Sequence, residues 1–314
     1  MKKLKENTTN TASSHRTRIL TIAGAVLCCI LWGSAFPAIK TGYDIWGISG
    51  TDTMSIIEFA GIRFFIAGLL VILIASVTTS KPIIMHKSDF FAVVILSLFQ
   101  TIGQYVLFYV GLAHTSGVNA SVMDSLTTVF AILISCLVFR LEKINFQKIL
   151  GCILGFAGVL FINITGEGMR LNLLGDGLII LSAVCYGISS TLIKKYSANH
   201  DTVMLSGYQF MFGGIVMTVT GMIGRGRTGY DITSFPQAIS IIIYLACVSG
   251  VAYTLWGILL KKNPVAKIAI FGFVTPIAGV ILSMVFLGET TIIGWRYIVA
   301  LVLITLSIVV VNYT

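Results

Sequence analysis

Charge is what this sequence has least of. Asp, Glu, Lys and Arg make up 11% of its 314 residues, whereas a soluble domain carries about 25%. Apolar residues make up 56%, and the mean hydropathy is +0.96. A chain of this size cannot bury so much apolar surface inside a water-soluble globule. The composition therefore excludes an ordinary soluble protein and predicts an integral membrane protein.

Motifs for catalysis and cofactor binding are also missing. The sequence has no phosphate-binding glycine loop, zinc motif or nucleotide domain, and its 4 histidines fall outside the apolar runs. Its 6 cysteines lie inside apolar runs without metal-ligand or redox spacing, so we expect packing residues rather than disulfides. The net charge of +9 comes from short clusters between apolar runs, which is not the basic face of a nucleic-acid-binding protein. We predict no enzyme activity, no cofactor, no metal and no nucleic-acid partner.

Apolar runs of membrane-crossing length fill most of the chain. A crossing needs roughly 20 mostly apolar residues, and about ten such runs can be placed. The predicted helices are approximately Leu20–Ile39, Ile57–Val77, Phe90–Leu112, Val118–Phe139, Ile149–Ile164, Gly177–Lys194, Val203–Gly224, Ala238–Leu259, Ala266–Leu287 and Trp295–Val311. Most Lys and Arg lie in alternate connections, on the side of the basic tail Met1–Arg18. The positive-inside rule therefore predicts a multi-pass protein of the cell membrane with both termini in the cytoplasm.

One stretch of the chain occurs twice. Thr128–Glu142 reads TVFAILISCLVFRLE and Thr275–Glu289 reads TPIAGVILSMVFLGE, at an offset of 147 positions. Each is an apolar helix-length run that ends in a carboxylate, and another apolar run closes each half. Because five helices per half is an odd number, the two copies must be inverted in the membrane, and a binding site is expected between them near the midplane.

The expected fold class is an all-α integral membrane protein with ten transmembrane helices in two inverted five-helix repeats. The predicted boundaries are 1–18 for the tail, 19–165 for the first repeat and 176–312 for the second. Its partners are expected to be a small-molecule solute and the lipid bilayer, and the protein is expected to be a monomer or a homodimer.

Several segments together resemble a known family. Leu31–Lys40 (LWGSAFPAIK) is similar to the first-helix signature of the EamA branch of the drug/metabolite transporter superfamily. Arg63-Phe64 followed by Ala67-Gly68 resembles its second-helix pattern, and Asn119–Glu142 with its echo Val265–Glu289 resembles the rest. The resemblance covers nearly the whole chain beyond the tail. It implies a ten-helix fold that carries small organic solutes, commonly exporting amino acids and other metabolites.

The chain departs from the family pattern at two places. The family usually has a proline before the apolar run of the fourth helix. This chain has Val129 there, where the second copy has Pro276. The first predicted span has no Asp or Glu, whereas small multidrug members use a first-helix carboxylate for protons and cations. The second departure argues against proton-coupled export of cationic drugs by that route.

Few ionisable groups fall inside the predicted spans, and such groups usually face a cavity or a partner. Arg63, Gln104 and Asp124 lie at a similar depth on three different helices, about 10 Å from one end. A solute carboxylate is the expected ligand of Arg63, and an ammonium group or a proton that of Asp124. The alternative is a structural Arg63–Asp124 pair that neutralises itself. Gln209 stands where Arg63 stands in the other half, so the charge is not duplicated.

Aromatic residues are the other candidates for a solute site. Trp32 and its counterpart Tyr186 each precede a glycine, while Tyr105 and Tyr253 lie mid-span. We predict that these four line a cavity, with membrane-interface positions as the alternative. Trp256, close to the predicted end of its helix, is assigned to the interface.

The carboxylates at the predicted span ends are not expected to bind solute. Glu58 is predicted to be solvated. Glu142 and Glu289 are expected to end their spans and to meet headgroups or a loop cation.

The favoured hypothesis is a secondary transporter, an amino-acid or metabolite exporter that works by alternating access. The alternatives are a proton-coupled exporter of hydrophobic cations through Asp124 and a membrane scaffold protein without transport.

Overall fold

The described chain is helical throughout. The computed structural model describes residues 2–112, 114–115, 117–163, 172–226, 229–287 and 295–312, and no strand occurs among them. The helices are α1 (Lys2–Trp46), α2 (Thr53–Thr79), α3 (Phe90–Leu112), α4 (Gly117–Asp124, Leu126–Leu133 and Ile134–Val138), α5 (Phe146–Asn163), α6 (Leu173–Tyr196), α7 (Thr202–Arg225), α8 (Phe235–Lys262), α9 (Val265–Ala269, Ile270–Phe273 and Val274–Leu287) and α10 (Trp295–Asn312).

Seven of these helices are long and apolar enough to cross a membrane, starting at Thr17 in α1. Three shorter apolar helices accompany them, Val122–Val138, Phe146–Phe161 and Ile298–Asn312. The predicted runs therefore correspond to the observed helices, most of them to within a few residues. Glu289 and the predicted boundary at residue 165 lie outside the described residues.

Local side-chain chemistry sets several helix boundaries. The side chains of Asp52, Asn172 and Asp201 accept hydrogen bonds from the first backbone N–H groups of α2, α6 and α7, as helix N-caps do. The end of α1 was predicted wrongly at Ile39, because Lys40 breaks the apolar run without breaking the helix. The helix runs instead to Trp46, and the positive φ of 64° at Gly47 reverses the chain, so that the Ile48 N–H donates to the Tyr43 carbonyl at 2.9 Å.

The helices pack in groups that mix the two halves of the sequence. Helix α1 packs on α8 and α9, whereas α6 packs on α3 and α4. Helix α2 packs on α7, and α5 packs on α10. If each helix is replaced by its equivalent in the other half, the contact of α1 with α8 becomes that of α6 with α3. The contact of α1 with α9 likewise becomes that of α6 with α4. The two halves therefore interlock and do not form separate bundles.

Individual contacts also recur in the two halves. The Cys28 thiol of α1 donates to the Ala252 carbonyl of α8 at 3.3 Å, and the Ser182 hydroxyl of α6 donates to the Gln104 carbonyl of α3 at 2.8 Å. A Cβ added at Gly33 would lie 2.7 Å from the Cβ of Ala278 in α9. In α6, a Cβ added at Gly187 would lie 3.0 Å from the Ala131 backbone nitrogen of α4. Ala131 and Ala278 are aligned in the sequence repeat, so equivalent residues make equivalent contacts.

Glycines allow α2 and α7 to cross at close range. A Cβ added at Gly61 would lie 2.9 Å from the Gly214 carbonyl oxygen, and one added at Gly68 would clash with the Gly207 carbonyl oxygen. Small residues permit such close approach of helix backbones. Because the contact moves from Gly214 to Gly207 as α2 runs from Gly61 to Gly68, these two helices are antiparallel.

The start of the apolar part of α1 and the last described turn of α10 lie at the same end of the bundle. The Arg18 guanidinium near the start of the apolar part of α1 donates to the Asn312 carbonyl of α10 at 3.0 Å. We call this end the terminal face, and the end where α1 passes into α2 the opposite face.

Candidate functional site

An aromatic cluster joins α1, α2, α3, α7 and α8 in the interior. The Trp32 ring lies 5.0 Å from the Tyr253 ring and 4.9 Å from the Trp256 ring. The Tyr105 ring lies 4.5 Å from the Phe64 ring. The aromatic cluster consists of Trp32, Phe64, Tyr105, Phe210, Tyr253 and Trp256.

Equivalent residues of the two halves meet in the middle of this cluster. The hydroxyl oxygens of Tyr105 and Tyr253 are 2.7 Å apart, and these tyrosines are separated by 148 positions. The rings of Phe64 and Phe210 stack at 5.3 Å with an interplanar angle of 15°. Tyr105 belongs to the group of α3, α4 and α6, and Tyr253 to that of α1, α8 and α9. The tyrosine pair (Tyr105 and Tyr253) therefore bridges the two helix groups.

Arg63 lies beside the tyrosine pair and is 3% exposed. Its guanidinium carbon lies 4.4 Å from the Phe64 ring centre and 5.7 Å from that of Tyr105. Its Nε is buried without a hydrogen-bond partner, and no described carboxylate lies within ion-pair distance of the guanidinium. The predicted alternative of a direct Arg63–Asp124 ion pair is therefore not seen. Within the described protein, the close contacts of this cation are with aromatic faces.

Asp124 and the three other predicted residues surround the cluster without joining its ring contacts. Asp124 is half-buried at the break in α4, and Tyr105 lies within electrostatic range of both Asp124 and Arg63. Gln104 and Gln209 are buried, on α3 and α7, and each leaves one amide atom without a partner. Tyr186 is buried on α6, where the described residues give it no ring contact.

Three members of the aromatic cluster were not predicted from the sequence. The prediction that Trp256 lies at the membrane interface is wrong, because its side chain is 2% exposed and packs on Trp32. A residue near a helix end is interfacial only if it faces outward, and hydropathy alone does not show which way it faces. Phe64 and Phe210 were not singled out either, although each follows one of the paired positions Arg63 and Gln209.

At the opposite face, α2 is tied to the end of α7. The Arg225 guanidinium donates to both carboxylate oxygens of Glu58, at 2.8 and 3.2 Å, and lies 4.4 Å from the Tyr230 ring centre. The Tyr230 ring in turn lies 5.0 Å from that of Trp46 at the end of α1. The prediction that Glu58 is solvated is wrong, since it is 4% exposed. Its partner lies 167 positions away, which a helix-end pattern does not reveal.

At the terminal face, a titratable pair ties the start of α3 to the connection between α6 and α7. His200, between α6 and α7, has its Nδ1 2.6 Å from an Asp89 carboxylate oxygen at the start of α3. Burial acts to raise the pKa of the Asp89 carboxyl, but hydrogen bonding to His200 and to the His86 backbone N–H outweighs burial and lowers that pKa.

Charged side chains also hold the turn between α8 and α9 at the terminal face. The Lys194 ammonium donates to the carbonyls of Leu260 at 2.9 Å and Asn263 at 2.5 Å. Glu142 accepts the Val265 N–H at the start of α9 and pairs with Lys148 at 3.0 Å. Glu142 thus meets a cation, as expected, although Lys148 lies in the first turn of α5 and not in a loop. A cation at the end of α8 and an anion at the start of α9 both suit the helix dipoles.

No described group of His, Cys, Asp or Glu could hold a metal ion, and all 6 cysteines are free. The site consists of aromatic faces, amides, one unpaired guanidinium and one nearby carboxylate. Such a set can form hydrogen bonds and ion pairs with a small polar solute.

Comparisons with known proteins agree with this picture. The sequence profile of the EamA-like transporter family matches residues 19–164 and 173–313. The uncharacterized transporter YvbV of Bacillus subtilis is 26% identical over 90% of this chain and 88% of its own length. An uncharacterized transporter of Archaeoglobus fulgidus is 26% identical over 84% and 88%. The WAT1-related protein At3g02690 of Arabidopsis thaliana, described as chloroplastic, is 25% identical over 82% and 62%.

A solved crystal structure shares the fold. It superposes with a TM-score of 0.75 at 14% identity and covers 93% of this chain and 98% of its own. The helical fold, the family profile over both halves and the relatives named as transporters all lead to one assignment. The chain belongs to the EamA-like transporter family.

Proposed function

We propose that this protein is a secondary carrier that exports amino acids or similar zwitterionic metabolites by alternating access. The observation that carries the proposal is Arg63, a buried guanidinium beside the tyrosine pair with no carboxylate of the described protein within ion-pair distance. A buried charge without a partner is strongly unfavourable in a membrane protein. A solute carboxylate would relieve that cost by accepting paired hydrogen bonds from the guanidinium.

The second charge at the site has the opposite sign. Asp124 makes no hydrogen bond or ion pair in the described structure, and Tyr105 lies within electrostatic range of both it and Arg63. A solute with a carboxylate and an ammonium group would neutralise both charges together. A solute with only one of these groups would leave the other charge unpaired.

The internal repeat supports alternating access. Helices α2 and α7 are equivalent in sequence, run antiparallel and meet at equivalent glycines, which is the arrangement of an inverted repeat. We propose ten membrane-crossing helices in two inverted five-helix repeats, 19–165 and 176–312, with the terminal face and both termini in the cytoplasm. The two mixed helix groups would then separate first at one face and then at the other, with the tyrosine pair between them.

Uptake into proteoliposomes tests the proposal. Wild-type protein should exchange a radiolabelled mixture of neutral amino acids across the bilayer. The R63Q variant should lose about 100-fold in uptake efficiency, because a neutral amide replaces a charge-assisted paired contact. K81Q, which removes an exposed cation after α2, is the control and should behave as wild type. Absence of transport by the wild type, or full activity of R63Q, would refute the proposal.

Export of hydrophobic cations is the second candidate function, favoured by the unpaired Asp124 alone. In that case D124N would abolish tetraphenylphosphonium export and its pH dependence, and R63Q would leave export intact. The zwitterion carrier predicts that both variants lose amino-acid exchange. If the protein is instead a scaffold without transport, it will move neither probe.

A further inference from the structure

Buried polar side chains gather on α3 around its π-helical turn, Ser97–Gly103. Ser97 and Thr101 are fully buried, Gln100 and Gln104 are 4% and 8% exposed, and Gln209 of α7 is fully buried. We call this set the polar wall: Ser97, Gln100, Thr101, Gln104 and Gln209. Turns of this kind widen a helix locally and often occur at functional sites.

The polar wall satisfies little of its own hydrogen bonding. The Thr101 hydroxyl donates to the Gln209 amide oxygen at 2.6 Å. The Gln209 Nε2, the Ser97 hydroxyl, the Gln100 Oε1 and the Gln104 Oε1 are buried without a partner. Reversing the Gln209 amide would still leave one of its polar atoms unpaired, since Thr101 engages only one. Native proteins rarely leave so many neighbouring polar groups unsatisfied without a ligand or water.

The wall lies next to the tyrosine pair on the side of the terminal face. Thr101 precedes Tyr105 by one turn of α3, and α3 runs from the terminal face toward the opposite face. Gln209 directly precedes Phe210, which stacks on Phe64 beside Arg63. A Cβ added at Gly213 of α7 would lie 2.7 Å from the Thr101 Cβ and 2.8 Å from the Ser97 hydroxyl. The glycine therefore leaves these side chains room against α7.

The wall contains amides and hydroxyls and no charged residue. Such groups can donate to a carboxylate and accept from an ammonium group, but they cannot compensate a net charge in a low-dielectric interior. A solute carrying no net charge satisfies them, whereas a net ion leaves its own charge uncompensated.

We infer that the polar wall is a second solute subsite, between Arg63 and the terminal face, which admits only solutes without net charge. This inference rests on the proposed function and adds the property by which the carrier selects its solutes. Arg63 and Asp124 hold the two ends of a zwitterion, and the wall then holds the same groups without ion pairs. Overall neutrality, more than side-chain size, would therefore decide which solutes cross.

Replacing polar side chains of the wall by apolar ones tests the inference. In proteoliposomes, S97A/T101V/Q209L should take up the mixture of neutral amino acids at least tenfold more slowly than wild type. Its thermal unfolding temperature should be unchanged or higher, because the Ser97 hydroxyl and the Gln209 Nε2 have no partner and both members of the Thr101–Gln209 hydrogen bond are replaced together. Q237L, at an exposed position at the start of α8, is the control and should transport normally. If the triple variant does not fold, Q209L alone is judged by the same criterion.

Introducing a charge into the polar wall provides an independent test, with lysine uptake as the readout. Q209E places a carboxylate in the wall and should raise uptake of labelled lysine, a net cation, at least tenfold over wild type. Normal uptake of neutral amino acids by the apolar variant, or unchanged lysine exclusion by Q209E, would overturn the inference and leave the proposed function standing. If wild-type protein moves none of the amino acids, the proposed function fails and the inference fails with it.

Discussion

Helices α2 and α7 hold equivalent places in the two halves, yet only one of them carries charge at the centre. Phe64 and Phe210 stack on each other as equivalent residues, while the residue before each differs: Arg63 in one half and Gln209 in the other. The contacts that set helix spacing recur in both halves, and so does the tyrosine of the tyrosine pair, whereas the charge of Arg63 does not. The scaffold is thus nearly symmetric, and the differences between the halves mark the candidate solute site.

Substitutions of the glycines where α2 crosses α7 should have the largest effects on stability. A Cβ added at Gly61 would clash with the Thr218 backbone nitrogen, whereas one at Gly207 would meet the flexible end of Ile72, 2.5 Å away. Backbone cannot yield as a side chain can, so G61A should lower the free energy of unfolding by about 3 kcal/mol and G207A by about 1 kcal/mol. Thermal unfolding in detergent measures both.

G177A is the control for these substitutions. Nothing lies within 4 Å of a Cβ added at Gly177 in α6, so the variant should gain up to about 1 kcal/mol from helix propensity. Equal losses for G61A and G207A would mean that the backbone at Gly61 yields as readily as the Ile72 side chain at Gly207.

Moving the central charge tests how far the symmetry extends to binding. R63Q should weaken binding of a neutral amino-acid mixture about 100-fold, and R63Q/Q209R should recover about tenfold of that loss. The change in tryptophan fluorescence is a convenient readout, because Trp32 and Trp256 belong to the aromatic cluster. If the double variant binds as weakly as R63Q, positions 63 and 209 are equivalent in the helix packing but not in solute binding.

The contact at the opposite face should contribute more to stability than that at the terminal face. Glu58 accepts two hydrogen bonds from Arg225, so E58Q should cost about 2 kcal/mol, because a neutral amide replaces the carboxylate that accepts both of them. D89N should cost about 1 kcal/mol, because one contact to His200 and one to the backbone are weakened. Unfolding at pH 7 compares the two variants, and a larger loss for D89N would reverse the ranking.

The Asp89 contact should also depend on pH. Its pKa is lowered on folding, so the carboxylate stabilises the folded protein above its unfolded pKa of about 3.9, and this stabilisation is lost as the pH falls through the lower, folded value. The difference in unfolding temperature between wild type and D89N should therefore shrink toward zero between pH 5 and pH 2. A constant difference over that range would show that ionisation of Asp89 does not stabilise the fold.

Helix-cap substitutions should have effects no larger than that of D89N. Asp52 and Asp201 accept hydrogen bonds from Ser55 N–H at 3.1 Å and Met204 N–H at 2.8 Å, at the starts of the equivalent helices α2 and α7. D52A and D201A should each cost about 1 kcal/mol. Thermal unfolding would show similar shifts for both, and a much larger loss for one variant would reveal a role beyond capping.

The sequence predicted helix positions better than helix faces. Runs such as Phe90–Leu112 were found because lipid demands long apolar segments. The end of α1 was missed, because the apolar run stops at Lys40 while the helix continues to Trp46. Glu58 and Trp256 were misassigned, because burial depends on partners from distant helices. Arg63 and Tyr105 were singled out because a charged or polar group within an apolar run needs a special environment, and their role as solute ligands stays a prediction.

The proposed alternating access depends most on the inverted relation between the two halves. The exposed residues Gly50 and Asn199 lie in the equivalent connections after α1 and after α6. In intact cells, a membrane-impermeant maleimide should label G50C and should label N199C only after the membrane is permeabilised, with the wild-type protein as the background control. Labelling of both positions from the same side would contradict the inverted repeat and the alternating-access mechanism built on it.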